Sequence, residues 1–109
     1  MTKEEYLAKI KTNREKQVRE WEEAYRKKEE KYVNQAIENI INRIENAYTQ
    51  QVYVFSQEET DWLSKSDLFN KKLDELRKKY DFLEIYINTN KYLGLSNEIR
   101  NVRWRVKGE

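Results

Sequence analysis

The chain has 109 residues, a length that predicts about one domain, and it carries 22 Lys or Arg against 20 Asp or Glu, a net charge of +2. It contains no His, no Cys and no Pro, and only two glycines, Gly94 and Gly108. These absences exclude Ser-His and Cys-His nucleophiles, the usual zinc sites, a disulfide framework and a histidine pH switch. Charged residues make up 39% of the chain and aromatic residues 13%, which favours a folded protein with a small core and a large charged surface.

A single long helix is predicted for the first part of the chain. Thr2 and Glu5 form a capping-box pattern that places the helix start near residue 3, and no Pro or Gly follows before Gly94. Acid-to-base pairs four residues apart reinforce the helix; they are Glu5–Lys9, Glu15–Arg19, Glu22–Arg26 and Glu23–Lys27. We expect helical structure to about Tyr48, a length of roughly 70 Å that exceeds the diameter of a domain of this size.

An apolar stripe runs along this helix at steps of three and four residues, with a period that suits a nearly straight helix. Its apolar members are Leu7, Ile10, Val18, Trp21, Tyr25, Tyr32, Ala36, Ile40 and Ala47, and its interruptions are Arg14, Glu29 and Arg43. The stripe is narrow up to residue 31 and widens beyond it. We therefore predict a charged helical arm over residues 1–31 and a small α+β core over residues 32–109, with residues 32–48 docked on that core.

The second half of the chain changes to short elements. Residues 52–55 are rich in β-formers and predict a strand, and Ser56 with Glu59 forms a second capping box that opens a helix. Helical spacing continues through Tyr80, with a restart left open at Ser64 or Ser66. Residues 82–87 and 101–107 alternate between apolar and polar side chains and predict two further strands. Residues 88–97 hold Asn, Ser and Gly, so a loop is expected between them.

The predicted order is long helix, strand, helix, strand, strand. The helix between the first two strands suggests a right-handed β-α-β crossover, and the last two strands could pair antiparallel. We predict an α+β fold in which a small three-stranded sheet is packed by helices, with the strand order left open.

The arm carries the first candidate binding surface. Trp21 and Tyr25 lie four residues apart among charged neighbours, and such aromatic side chains are typical hot spots of protein interfaces. The proposed protein-binding residues are Leu7, Ile10, Val18, Trp21 and Tyr25. Packing within one chain, self-association and binding of a different protein all remain open for this surface.

The C-terminal strand carries the second candidate surface. Arg100, Arg103, Arg105 and Lys107 occur with no acid among residues 99–108, and cations in a row can follow nucleic-acid phosphates. The alternative is a solvated strand whose cations discourage edge-to-edge aggregation. Trp104 alternates to the opposite face and is expected in the core.

Function is predicted to be binding without catalysis. The serines are better explained as caps and turn residues, and we expect no enzyme activity, no cofactor, no metal and no small-molecule substrate. No stretch of apolar residues is long enough for a membrane span or a signal peptide, which favours a cytoplasmic location.

The abundance of Lys, Asn, Ile and Tyr is typical of an AT-rich gene, and it suggests a phage or mobile-element accessory protein, an inhibitor or adaptor, in a bacterial host cell.

Overall fold

The fold was obtained as a computed structural model, which describes residues 1–92 and 96–109 and the side chains of residues 1–90 and 98–109. Its elements follow the order α1 (Lys3–Glu45), β1 (Val52–Val54), α2 (Gln57–Leu63), α3 (Asp67–Lys79), β2 (Leu83–Tyr92) and β3 (Ser96–Val106). The predicted α+β fold is confirmed, since a long N-terminal helix precedes a three-stranded sheet against which the helices pack.

Helix α1 is continuous over 43 residues, and the molecule measures 74 Å along its longest axis. The predicted N-cap forms, because the Thr2 hydroxyl accepts a hydrogen bond from the Glu5 N–H at 3.2 Å. The helix ends at Glu45, earlier than the predicted Tyr48. Ala47 takes a φ of 50°, a left-handed conformation that ends the helix and turns the chain towards β1.

Two serine caps define the short helices. The Ser56 hydroxyl accepts from the Glu59 N–H at 3.2 Å, and the Glu59 carboxylate accepts from the Ser56 N–H at 3.1 Å, so the predicted capping box is complete. The Ser66 hydroxyl accepts from the Phe69 N–H at 3.1 Å and caps α3. Of the two restart points left open by the sequence, Ser66 is therefore the N-cap of α3, whereas Ser64 is the C-cap of α2.

The sheet has the strand order β1-β3-β2, with β3 antiparallel to both neighbours. The predicted antiparallel pairing of the last two strands is confirmed. β1 and β2 consequently run parallel, as a β-α-β crossover requires, but β3 lies between them. The two strands that the crossover joins are therefore separated by β3, an arrangement that the sequence pattern did not specify.

The expected loop over residues 88–97 is wrong for most of its length. β2 continues to Tyr92 and β3 begins at Ser96, so the hairpin is much longer than the apolar alternation indicated. The backbone ladder carries polar residues here, and the Asn88 side-chain amide donates to the Asn101 side-chain oxygen at 2.9 Å across the strands. Gly94, on which the loop prediction partly rested, lies outside the described residues.

The core lies between one face of the sheet, the two short helices and the C-terminal part of α1. From α1 it receives Val33, Ala36, Ile37 and Ile40. The sheet contributes Val102 and Trp104, which are buried as the alternation predicts. Phe69 and Leu73 of α3 are fully buried in the same cluster, so every helix contributes to a single core.

Candidate protein-binding surface on the helical arm

The apolar stripe of the arm is exposed to solvent. The exposed fractions are 52% for Leu7, 53% for Val18, 67% for Trp21 and 47% for Tyr25, and Ile10 is half-buried. The repeat of about 3.6 residues per turn places these five side chains on one face of the straight helix. All five proposed protein-binding residues therefore share a single continuous surface.

An aromatic row connects this surface to the core. The ring centroids of Trp21 and Tyr25 are 5.6 Å apart, those of Tyr25 and Trp62 4.9 Å, and those of Tyr32 and Trp62 6.0 Å. Trp62 belongs to α2 and is half-buried between two tyrosines of α1. The aromatic row (Trp21, Tyr25, Trp62, Tyr32) thus continues the stripe of the arm onto the folded core.

Polar contacts fix α1 to the short helices beside this row. The Ser66 hydroxyl donates to the Glu29 carboxylate at 2.7 Å, and the Tyr32 hydroxyl donates to the Glu58 carboxylate at 3.0 Å. The hydrogen bond to Glu58 raises the pKa of Tyr32, with desolvation as a further cause. The ring contact of Tyr25 and the hydrogen bond of Glu29 therefore join α1 to the core within the segment predicted to be the arm.

Trp62 is the member of this surface that sequence reasoning missed. Trp62 lies at helical spacing with Phe69, Leu73 and Leu76, and this spacing does not indicate which element it contacts. The pattern of α2 alone could not show that α1 crosses beside it. The contact depends on the angle between two helices, and no local sequence pattern specifies that angle.

Most charges on the arm have no ionic partner among the side chains that the structure describes. Among the described side chains, Glu23–Lys27 at 3.5 Å is the single predicted i,i+4 pair that forms an ion pair. The Arg19 guanidinium instead donates to the backbone carbonyl of Glu15 at 3.4 Å. The flanks of the apolar stripe consequently carry charges that are free to meet a partner.

The second candidate surface is the open face of the sheet, the face opposite the helices. Arg103 has Val52 and Tyr86 as its direct neighbours across the strands, and Arg105 has Glu84. Because cross-strand neighbours point to the same side, Arg103, Arg105 and Tyr86 lie together on this open face. Tyr86 is 37% exposed, and sequence reasoning did not propose it.

The four predicted cations are not equivalent. The Arg105 guanidinium donates to the Glu84 carboxylate at 2.8 Å, which lowers the pKa of Glu84 and raises that of Arg105. Arg100 has no partner in the β2–β3 register, since the pairing shifts there by one residue, and it lies outside the alternation that orders the open face. Lys107 follows the end of β3, where its N–H donates to the Phe82 carbonyl at 3.0 Å. Arg103 is therefore the cation on the open face with no ion-pair partner among the described side chains.

The described residues contain no group of three or more potential ligand side chains that could hold a metal ion. No helix among them is long and apolar enough to cross a bilayer. Comparison of the chain with protein-family models, with curated proteins and with solved structures found no match. Function is therefore inferred from the geometry of the two surfaces.

Proposed function

We propose that the chain is a non-enzymatic binding protein, an accessory inhibitor or adaptor that acts through protein–protein contact made by its helical arm. One observation carries the proposal: Leu7, Val18, Trp21 and Tyr25 are each about half exposed or more on a single face of a projecting helix. Scattered exposed apolar residues need no explanation, but a continuous row of large ones is typical of an interaction site. Burial of this row against a partner would remove the cost of its exposure to water.

The aromatic row supports the same assignment. Trp and Tyr are enriched among interface residues that dominate binding energy, and such residues lie at the centre of the contact. Trp21 and Tyr25 occupy the end of the stripe nearest the core, where α1 is fixed by Trp62 and Ser66. A partner would therefore meet these two rings on a rigid support, which limits the entropy lost on binding.

The experiment compares a double variant, Trp21→Ala with Tyr25→Ala, with the wild-type chain. Each chain is immobilised, the proteins that it retains from an extract of its source cells are quantified, and its molar mass in solution is measured. We expect the double variant to lose the retained protein or the self-association of the wild type. Phe82→Ala is the matched control, because Phe82 is 56% exposed but lies in the turn before β2 and not on the arm. Unchanged retention together with an unchanged mass would refute the proposal, provided that circular dichroism shows intact folds.

A second candidate function is nucleic-acid binding by the open face of the sheet. The observation that favours it is the position of Tyr86 directly beside Arg103 across two paired strands. An aromatic ring next to an unpaired guanidinium can stack on a base while the cation meets a phosphate. Against it, Glu84 neutralises Arg105 on the same face, which reduces the positive charge available to a polyanion.

Fluorescence anisotropy with labelled single-stranded and double-stranded oligonucleotides tests this second function. Binding should weaken steeply as salt rises, and Arg103→Ala or Tyr86→Ala should weaken it further. Lys78→Ala on α3 is the control, since it removes one exposed cation away from the sheet. Absence of binding at low salt would dismiss the open face as a nucleic-acid surface.

A further inference from the structure

We infer that the arm pairs with the arm of a second copy of this chain, antiparallel, and forms a homodimer with the two cores at opposite ends. The inference rests on the proposed function, because it names the protein that the arm contacts. It starts from the exposed stripe of the arm and from the distribution of charge beside it.

The spacing of the stripe is suited to antiparallel self-pairing. Its six positions are Leu7, Ile10, Arg14, Val18, Trp21 and Tyr25. A second arm laid antiparallel, with the two-fold axis beside Lys16, brings Leu7, Arg14, Val18 and Tyr25 into register and places Ile10 and Trp21 within one residue of it. The contacts, each formed twice by symmetry, are Leu7 with Tyr25, Ile10 with Trp21, and Arg14 with Val18. The paired segment is about 27 Å long at about 1.5 Å per residue, and its interface has the self-complementary form that a two-fold dimer requires.

These contacts match side chains by size and polarity. Leu7 and Ile10, the aliphatic residues near the N-terminus, each contact an aromatic ring of the second copy, and both rings lie near the core of that copy. Arg14 meets Val18, so its aliphatic stem can cover the valine while its guanidinium reaches water. A parallel pair in register would instead place two Arg14 guanidinium groups side by side, and like charges in contact are unfavourable.

The core fixes the extent of the pairing. Beyond Tyr25 the stripe is covered by Trp62, whose ring centroid lies 4.9 Å from that of Tyr25 and 6.0 Å from that of Tyr32. A parallel partner that followed the stripe would meet α2 at this point. In the antiparallel dimer, Leu7 of the second copy lies opposite Tyr25, so the apolar contacts end where α2 begins to cover the stripe and only the first turn of the second arm extends beside α2.

Charges along one flank of the stripe agree with this register. Glu4, Lys11, Glu22 and Arg26 are separated by seven, eleven and four residues, spacings that put them on one side of a helix. The antiparallel register places Lys11 within one residue of the position opposite Glu22 of the second copy, and Glu4 within two residues of the position opposite Arg26, which long charged side chains can span. None of these four side chains belongs to an ion pair among the described side chains. The dimer therefore supplies each of them with a partner of opposite charge.

Sedimentation equilibrium of the full-length chain at low salt tests the inference with three variants. The wild type is expected to be a dimer. Lys11→Glu alone, or Glu22→Lys alone, turns two attractive contacts into repulsive ones and should weaken the dimer by roughly tenfold. The double variant Lys11→Glu with Glu22→Lys restores opposite charges and should return to wild-type affinity. An equimolar mixture of the two single variants should form a heterodimer for the same reason.

Orientation is tested by cross-linking, because the chain has no cysteine of its own. Lys11→Cys and Glu22→Cys chains are mixed and treated with a short bis-maleimide. The antiparallel register predicts that the mixture cross-links strongly between different chains and that Lys11→Cys alone does not. Cross-linking of Lys11→Cys to itself as efficiently as to Glu22→Cys would overturn the antiparallel arrangement.

Further outcomes separate this inference from the proposed function. A wild type that is monomeric at every concentration overturns the dimer, while a loss of a retained foreign protein in the Trp21→Ala, Tyr25→Ala chain would still uphold the proposed function. A dimer whose affinity is unchanged in both single charge variants overturns the register. A dimer that also persists in the Trp21→Ala, Tyr25→Ala chain overturns the inference, because those rings form the proposed contacts.

Discussion

Tyr25 of the long helix and Trp62 of the short helix α2 lie with their ring centroids 4.9 Å apart and their planes inclined by 51°. This inclined arrangement is favourable for aromatic rings, and pairs of this kind add about 0.5–1.5 kcal/mol beyond the burial of their surface. The contact marks where α1 ceases to be a free helix and becomes part of the core. It also links the exposed stripe of the arm to the folded part of the molecule, so a change at Trp62 should affect both.

Replacement of Trp62 by Ala should lower the free energy of unfolding by about 2–3 kcal/mol, since Trp62 is half-buried and full burial of an aromatic gives about 3–5. The loss has two sources, the contact with Tyr25 and the stacking on Tyr32. Urea denaturation followed by circular dichroism measures it. Trp21→Ala is the matched control and should change stability by less than about 0.5 kcal/mol, because Trp21 is 67% exposed. Equal losses in the two variants would contradict this account of Trp62.

Much of the fold followed from local sequence signals, and the failures have a common physical cause. The three N-caps at Thr2, Ser56 and Ser66 depend on residues three positions apart, which a sequence displays directly. The inward position of Trp104 followed from strict alternation. The strand order and the length of the β2–β3 hairpin depend on backbone pairing between distant segments, to which Asn-rich residues contribute no distinctive pattern.

The candidate surface was likewise predictable in part. The exposed stripe could be counted from spacing, because a helix repeats every 3.6 residues or so. The contact of Tyr25 with Trp62 could not, since it requires knowledge of which helix crosses α1. Strand alternation puts Tyr86 on the same face as Glu84, but its position beside Arg103 depends on the β2–β3 register.

The buried carboxylate of Glu59 should be a strong determinant of stability. Glu59 is 2% exposed and accepts hydrogen bonds from the Tyr53 hydroxyl at 2.7 Å and from the Ser56 N–H at 3.1 Å. Glu59→Ala would leave both donors without this acceptor. It should therefore lower the free energy of unfolding by about 1–3 kcal/mol. Glu38→Ala, on an exposed face of α1, is the control and should be close to neutral.

A double-mutant cycle then measures how strongly the side chains of Tyr53 and Glu59 interact. Tyr53→Phe removes the hydroxyl but keeps the ring, so it should lower the free energy of unfolding by less than Glu59→Ala does. The two changes together should cost less than the sum of their separate effects, because the residues interact directly. Strict additivity in urea denaturation would show that the observed contact contributes nothing to stability.

Stability should fall at alkaline pH because of two tyrosines. Burial, followed by a hydrogen bond to Glu59, raises the pKa of Tyr53 to about 12, and burial with a hydrogen bond to Glu45 does the same for Tyr80. In the unfolded chain both phenols have the ordinary pKa of about 10. Their stabilising contribution is therefore complete below pH 10 and is lost as pH rises from 10 through 12.

The urea midpoint measured across this range checks the alkaline prediction. The wild type should lose stability steeply above pH 10, and a Tyr53→Phe, Tyr80→Phe chain should start less stable but show a shallower decline. The sign follows from the unfolded state, which releases the phenolic protons first. A wild-type midpoint that stays constant up to pH 12 would contradict the raised pKa values.

Removal of residues 1–20 should leave the core intact and abolish association. Among the described side chains, those of residues 1–20 form no hydrogen bond or ion pair with any other element, whereas Tyr25 contacts Trp62 of α2 and Glu29 accepts a hydrogen bond from the N-cap of α3. The free energy of unfolding should therefore change by less than about 0.5 kcal/mol per chain when it is measured at concentrations where the full chain is monomeric. The shortened chain should sediment as a monomer at concentrations where the full chain is a dimer, because Leu7, Ile10 and Val18 are gone. A marked loss of stability in the shortened monomer would instead assign these residues to the packing of their own chain.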